Sequence, residues 1–408
     1  MRTGVTGVQP ERLLQARLCR GLTQAALATM VGRSSGTVSK WENGDQAPEA
    51  AALERLSACL AFPASWFMKP VPAYGNNVCF YRSNSSVTKE AQTISQIRLQ
   101  WLNEVSLTLQ EWLDWPPVNI PSAGKADHRN ITDSEIENVA LACRHAWKLG
   151  MGPISDVVLA LENAGAICVR EELGFTRMDG ASRWFDTDHR PYVFLAADKA
   201  NGVRSRFDAA HELGHLALHR TVDGIEFFKR YPEIERQAHL FAGAFLLPAE
   251  TFAAEVMRPS LDTFMALKPR WKVSVGAMIM RCLQLGIIDS EYSTRLWKNY
   301  SARGWRKGEP LDEKIDFEPV RLLPRAITLL VSDGALTKEG ILVAIGLGAS
   351  DCERLCGLPE GFFSQNASLS PPDMVRLKTE VNRHKGNPEV ARSNVVNFPK
   401  NGSRSTRT

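Results

Sequence analysis

The stretch Asp208-Ala209-Ala210-His211-Glu212-Leu213-Gly214-His215-Leu216-Ala217-Leu218-His219 decides how the rest of the chain reads. Two histidines stand four residues apart, with a glutamate beside the first. On a helix, positions i and i+4 lie on one face a turn apart, so His211 and His215 can turn an imidazole nitrogen toward one metal ion. Glu212 sits next to them, close enough to take a proton from a water whose pKa a zinc ion (Zn2+) lowers. Phe207, Leu213, Leu216 and Ala217 give the helix an apolar opposite side. The metal face is then free to look into a cleft.

Such an ion needs a third protein ligand and one position left for water. Glu235 and His239 on the next predicted helix, and His219 further along the first, are the candidates. Glu235 is favoured, because a residue from a second helix can close a tetrahedron, and His219 reads better as a packed or supporting histidine. Asp208, one turn before His211, either orients that imidazole or faces solvent near the start of its helix. Arg206, Tyr231 and His239 are the candidates for stabilising a transition state.

Outward from this motif, apolar runs predict strands at 166–171, 181–185 and 191–196, the last two joined by a turn at Asp186-Thr187-Asp188-His189-Arg190. Helices are predicted over 203–219 and 231–247, and two more within 133–165, separated at Gly150-Met151-Gly152-Pro153. Together these make a small α+β unit on a short antiparallel sheet. Residues 84–114 read as one long helix, with Ile94, Ile97, Trp101, Val105, Leu109 and Trp112 in a stripe that Leu102 and Leu113 widen, a core or dimer contact. Residues 260–300 and 318–370 are again helical. A second helix-turn-helix-like unit at Val273–Leu285 lacks a basic outer face and reads as packing.

At the other end, Leu13, Leu14, Ala16, Leu18, Leu22, Ala25, Leu27, Ala28, Val31, Val38 and Trp41 recur at helical spacing, giving closely spaced short helices over 11–67. Leu22-Thr23-Gln24, Leu27-Ala28, Gly32, Thr37-Val38-Ser39, Trp41-Glu42-Asn43-Gly44 and Pro48 resemble the Cro/CI-type (XRE) helix-turn-helix family. Thr23 caps the second helix, Gly32 supplies the turn, and Ser34 starts a third helix that would enter the major groove. Val38 and Trp41 then face the core. Ser34, Ser35, Thr37 and Lys40 face outward. Ser35 and Lys40 are expected at base edges, and Gln24, Arg33 and Thr37 at phosphates. The resemblance implies double-stranded DNA as partner and a homodimer on paired half-sites.

A second resemblance covers about 135–310. Residues 142–153 (ACRHAWKLGMGP), Ser205-Arg206-Phe207 before HELGH, 235–248 (ERQAHLFAGAFLLP), 268–274 (KPRWKVS) and Gly304-Trp305-Arg306 resemble the ImmA/IrrE-type metallopeptidases. That family implies zinc on His211, His215 and Glu235 with Glu212 as base. It often has Asn or Asp where this chain has His239, and Thr where it has Asp208. Phe80-Tyr81-Arg82-Ser83 and 116–121 (PPVNIP) resemble the connector of fused members.

The expected fold class is α+β, mostly helical. An all-α helix-turn-helix domain spans 1–70, a helical connecting arm 71–130, a zincin-like metallopeptidase domain 131–258, a helical C-terminal region 259–370, and a polar, disordered tail 371–408. Composition agrees with this reading. Of 408 residues, 44% are hydrophobic and 23% charged, and the net charge is only +4, which excludes a uniformly basic nucleic-acid binder. Residues 1–70 still carry eight Lys/Arg against five Asp/Glu. Eight scattered cysteines without a CxxC pair read as free thiols of a reducing compartment. With no signal pattern and no long apolar run, the chain is expected in the cytoplasm without membrane contact. The expected function is a DNA-binding transcriptional regulator carrying a zinc metallo-endopeptidase, which cleaves itself or a partner repressor in response to a signal. The alternative is a regulator whose zinc domain is a non-catalytic sensor or scaffold.

Overall fold

The computed structural model describes residues 4–83, 88–123, 129–174, 178–198, 201–364 and 376–377. The expected tail lies outside them, apart from 376–377. The chain opens with four helices, α1 (Pro10–Cys19), α2 (Gln24–Val31), α3 (Ser35–Glu42) and α4 (Ala50–Leu60). Local chemistry sets their ends. Thr23 Oγ1 accepts from Ala26 N at 3.1 Å and Ser34 Oγ from Thr37 N at 3.2 Å. Gly32 ends α2 at φ +65°, a left-handed conformation that glycine adopts without steric cost. Leu27, Val31, Val38 and Trp41 close the bundle.

Strand β1 (Phe80–Ser83) follows, then α5 (Lys89–Leu109), β2 (Leu113–Asp114), α6 (Asp133–Ala146) and α7 (Val157–Asn163). Next come β3 (Ile167–Glu171), β4 (Met178–Phe185) and β5 (Arg190–Ala196). The four-stranded sheet has the order β1-β4-β5-β3. It is mixed, which corrects the antiparallel expectation: β3 runs parallel to β5. The β4–β5 hairpin is antiparallel as the turn residues implied. It folds so that β5, not β4, lies beside β3, an ordering that hydrophobic alternation along single strands does not encode.

Helices α8 (Gly202–Leu218), α9 (Gly224–Lys229), α10 (Tyr231–Leu246), α11 (Ala249–Glu255), α12 (Leu261–Trp271), α13 (Val275–Gln284) and α14 (Ser290–Ala302) come next. Then follow α15 (Leu322–Ser332), α16 (Lys338–Ile345) and α17 (Ala349–Cys356), and β6 (Arg376–Leu377) pairs with β2. In α13, Val275, Met278, Ile279 and Cys282 are buried, and Arg281 is buried against Leu247 O (2.8 Å) and Glu137. That helix packs.

Successive strand residues point to opposite faces, so the sheet divides two cores. Ile167, Val169, Tyr192 and Phe194 join a core that runs through α5 to the N-terminal bundle and to α15–α17. Cys168, Val193 and Leu195 join the other, with α6, α7, α8 and α10–α14. The α5 stripe is therefore core within one chain, and Trp101, Leu102, Val105 and Leu109 are buried. None of the eight cysteines is in a disulfide.

Candidate metal centre and DNA-facing helix

Helix α8 starts at Asn201, whose side chain accepts from Arg204 N at 2.9 Å. It lies against β4 on one side and α10 on the other. Gly214 permits the second contact: a Cβ there would stand 3.1 Å from the Ala238 backbone. This close crossing brings Glu235 of α10 to the histidines of α8. His211 Nε2 lies 3.0 Å from His215 Nε2 and 3.4 Å from Glu235 Oε2, and His215 Nε2 lies 3.2 Å from Glu235 Oε1. A tetrahedral ion with bonds of about 2.0–2.1 Å separates its ligand atoms by roughly 3.4 Å. These spacings match it. Donor atoms of His211, Glu235 and His239 also lie within 4.8 Å of one another. His239 thus stands at the rim as a further donor, its Nδ1 2.8 Å from Glu235 O.

His219 does not reach this group. Its Nδ1 is 3.0 Å from His215 Nδ1 and its Nε2 is 2.8 Å from Gln237 Oε1. With Gln237 Oε1 accepting, His219 donates from Nε2 and takes the Nδ1 proton of His215 at its own Nδ1. The lone pair of His215 Nε2 is left facing His211 and Glu235, as a metal ligand requires. Burial, with the nearby Arg82 cation, pushes the His211 pKa well down. Burial pushes the Glu235 carboxyl up, but the adjoining imidazoles of His211 and His215 outweigh it and hold the pKa well below the usual range. Unprotonated nitrogens packed this closely repel unless a cation lies between them, so the donor set fits a metal ion.

Glu212, fully buried, turns to β4 instead. Its Oε2 accepts from Ser182 Oγ at 2.6 Å, and Oε1 has its hydrogen-bonding capacity unused. Gly180 leaves it room, since a Cβ there would lie 3.0 Å from Glu212 Oε1. Burial pushes the Glu212 carboxyl well above its usual range. Asp208 does not hydrogen-bond the His211 ring. It pairs with Arg82 Nε at 2.7 Å, and His211 Nδ1 is buried with its capacity unused. Arg206 turns away to Glu318 and Ile154 O. Tyr231 packs on the ring of Phe227, 5.5 Å between centroids.

Sequence reasoning assigned no role to Ser182 or Gly180, and placed Phe80 and Arg82 only in a resemblance to a connector, not at the metal centre. The Phe80 ring lies flat on His215, with centroids 4.6 Å apart and planes 7° apart. A cavity of about 440 Å³ opens beside Arg82, Phe207 and His239 and runs to Trp297, Trp305 and Arg306. Nothing in the sequence of β4, which lacks apolar–polar alternation and is buried throughout, marked Ser182 or Gly180. For Phe80 and Arg82 the signal was a four-residue apolar–polar run without a visible partner.

On the N-terminal bundle, Arg33, Ser34, Ser35 and Lys40 are exposed and Thr37 half-buried. Ser34 and Thr37 hydroxyls bond each other at 2.9 Å, and Arg33 pairs with Glu49. Gln24 donates to Glu42 Oε2 at 2.8 Å, and Arg17 holds the same carboxylate. Among the described residues, no helix is long and apolar enough to cross a membrane.

Bundle and site together define a helix-turn-helix regulator joined to a metallopeptidase-type domain. Residues 13–67 match the family model of the helix-turn-helix, and residues 169–283 match the IrrE N-terminal-like domain of the M78 peptidases. The two matches, in this order along the chain, fit the expected fusion of an XRE-type helix-turn-helix with an IrrE-like domain. No curated protein matches the chain.

Proposed function

We propose that the chain is a transcriptional regulator whose IrrE-like domain is a zinc-dependent endopeptidase, acting in the cytoplasm on itself or on a partner helix-turn-helix repressor. The supporting observation is the ordered donor set: His211, His215 and Glu235 at 3.0–3.4 Å, with His215 held in its ligating tautomer through His219 and Gln237. His211, His215 and Glu235 would hold the ion. Zinc in such a site polarises a carbonyl and makes a bound water acidic near neutral pH. Glu212 then has the work of a base. Ser182 fixes Oε2, Oε1 is left to take a proton, and burial raises its affinity for that proton.

Wild type and Glu212→Gln are purified, assayed for zinc, and incubated alone and with helix-turn-helix repressors, with and without DNA. Cleavage by wild type only, at equal zinc, is the expected result. Absence of zinc from both defeats the metal assignment. A second reading, a zinc-bearing sensor or scaffold without catalysis, is favoured by the Phe80 ring lying on His215. Zinc in both proteins and cleavage in neither supports that reading.

A further inference from the structure

Strand β1 comes from the segment between the N-terminal bundle and α5, yet it forms the outer edge of the sheet at the metal centre. It pairs antiparallel with β4, Phe80 opposite Ser182, Tyr81 opposite Ala181 and Arg82 opposite Gly180. Ser182 and Gly180 are the two β4 residues against Glu212. Phe80 and Arg82 therefore share the face that looks onto α8, and Tyr81 faces away. The Phe80 side chain, 2% exposed, fills an apolar socket of Val222, Phe227 and Ile234 and covers His215. Arg82 reaches Asp208 at 2.7 Å and lies over the Phe207 ring at 5.1 Å. Without β1, β4 would be an open edge running past Glu212.

An open strand beside a cleft takes an extended peptide by adding it to the sheet. Main-chain hydrogen bonds give affinity, and sockets for alternate side chains give specificity. Each of these parts is present, and each is filled from within the chain. Resting on the peptidase reading above, we propose that residues 80–82 are an internal ligand of the peptide cleft. The cleft selects an extended peptide with an aromatic residue and, two positions later, an arginine, and such a peptide enters by displacing β1. The aromatic residue takes the Val222–Phe227–Ile234 socket and the arginine takes Asp208.

The test reads binding, so it needs no turnover. Full-length Glu212→Gln is compared with Glu212→Gln carrying Phe80→Ala and Arg82→Ala, using a fluorescent peptide of residues 76–83 (NNVCFYRS). Removing the internal ligand is expected to tighten peptide binding at least about tenfold, an energy of roughly 1.4 kcal/mol. A peptide with Ala in place of its Phe and Arg should lose that gain. Backbone amides of residues 178–185 should exchange faster in the opened variant and be protected again by the peptide. Equal binding by both proteins, or no preference between the peptides, overturns the proposal. If the double replacement does not fold, Arg82→Gln alone is read the same way. Peptide binding in the opened variant without cleavage on restoring Glu212 would sink the peptidase reading and leave this one standing.

Discussion

Arg20, at the end of the first helix of the DNA-facing bundle, meets Asp351 of α17 at 2.5 Å across 331 residues of sequence. Asp351 also takes Arg98 of α5 at 2.8 Å, and Arg98 takes Glu171 at the end of β3 at 2.5 Å. One buried carboxylate thus ties together the bundle, the central helix and the C-terminal region, and Arg98 extends the tie to the sheet. Removing one partner from a buried ion network leaves the others desolvated and unpaired. Asp351→Asn is expected to cost about 3 kcal/mol in chemical denaturation and to expose the 4–67 region to proteases. Burial opposes ionisation of Asp351, but the two arginines outweigh it and hold its pKa below the ordinary value of about 3.9. Its stabilisation is therefore present above that value and lost as pH falls below it. An acid-denaturation profile that is the same in wild type and Asp351→Asn would refute this.

Glu162 carries the opposite sign. It is fully buried and accepts the backbone N–H groups of Arg321 and Leu322 at 2.9–3.1 Å, at the start of α15. Burial pushes its carboxyl up to about 7, against the pull of those hydrogen bonds. Between its ordinary value of about 4.3 and that raised value, the folded chain holds a proton that the unfolded chain has released. Stability should fall as pH rises through that window, with a slope of at most about 1.4 kcal/mol per pH unit from this group. Glu162→Gln keeps an acceptor oxygen and removes the titration. Denaturation midpoints measured from pH 5 to 8 should be flatter in the variant, and parallel curves would count against the assignment.

Gly214 sets the distance between α8 and α10, and hence the reach of Glu235. Gly214→Ala puts a methyl group 3.1 Å from backbone atoms of Ala238, which cannot rotate away. The helices must separate by a few tenths of an ångström. Overpacking of this kind costs about 1–3 kcal/mol. Zinc affinity, measured by competition with a chromophoric chelator, should fall by about tenfold or more, because Glu235 is carried away from His211 and His215. Unchanged affinity would mean that Glu235 is not a ligand. Glu235→Gln should then bind zinc as wild type does.

How much of this was legible in the sequence follows from the range of each signal. The His211/Glu212/His215 face and the caps at Thr23 and Ser34 are set within four residues, so spacing reveals them. Glu235 was favoured because a residue from a second, adjacent helix can close a tetrahedron with His211 and His215. The Asp208–Arg82 pair was not legible, since it joins segments 126 residues apart and depends on β1 being drawn to the sheet edge. The parallel β3–β5 pairing was missed for the same reason. Strand order is decided by which apolar faces meet, and both β3 and β5 are buried on both sides. Nor did the α5 stripe say how many neighbours the helix has. Arg98 and Asn103 are buried on it beside the leucines, held by partners from distant segments.

The DNA-facing residues are proposals that the bundle's internal pairing helps to rank. Ser35 and Lys40 are exposed on α3, and no contact inside the bundle commits their side chains. Arg33 is already paired with Glu49, and Gln24 with Glu42. A cation neutralised within the protein releases fewer counterions when it meets a phosphate. Arg33→Ala should therefore lower the salt dependence of binding by clearly less than one unit of slope. Lys40→Ala should weaken binding to a selected site by about 1–3 kcal/mol, with a smaller loss on random duplex, if it reads a base edge. Equal losses on both duplexes, with the slope reduced by about one, would move Lys40 to the phosphate backbone. Operators selected from a random pool should carry two half-sites about 34 Å apart if the chain binds as a two-fold dimer. A single half-site with full affinity would remove the dimer from the proposal.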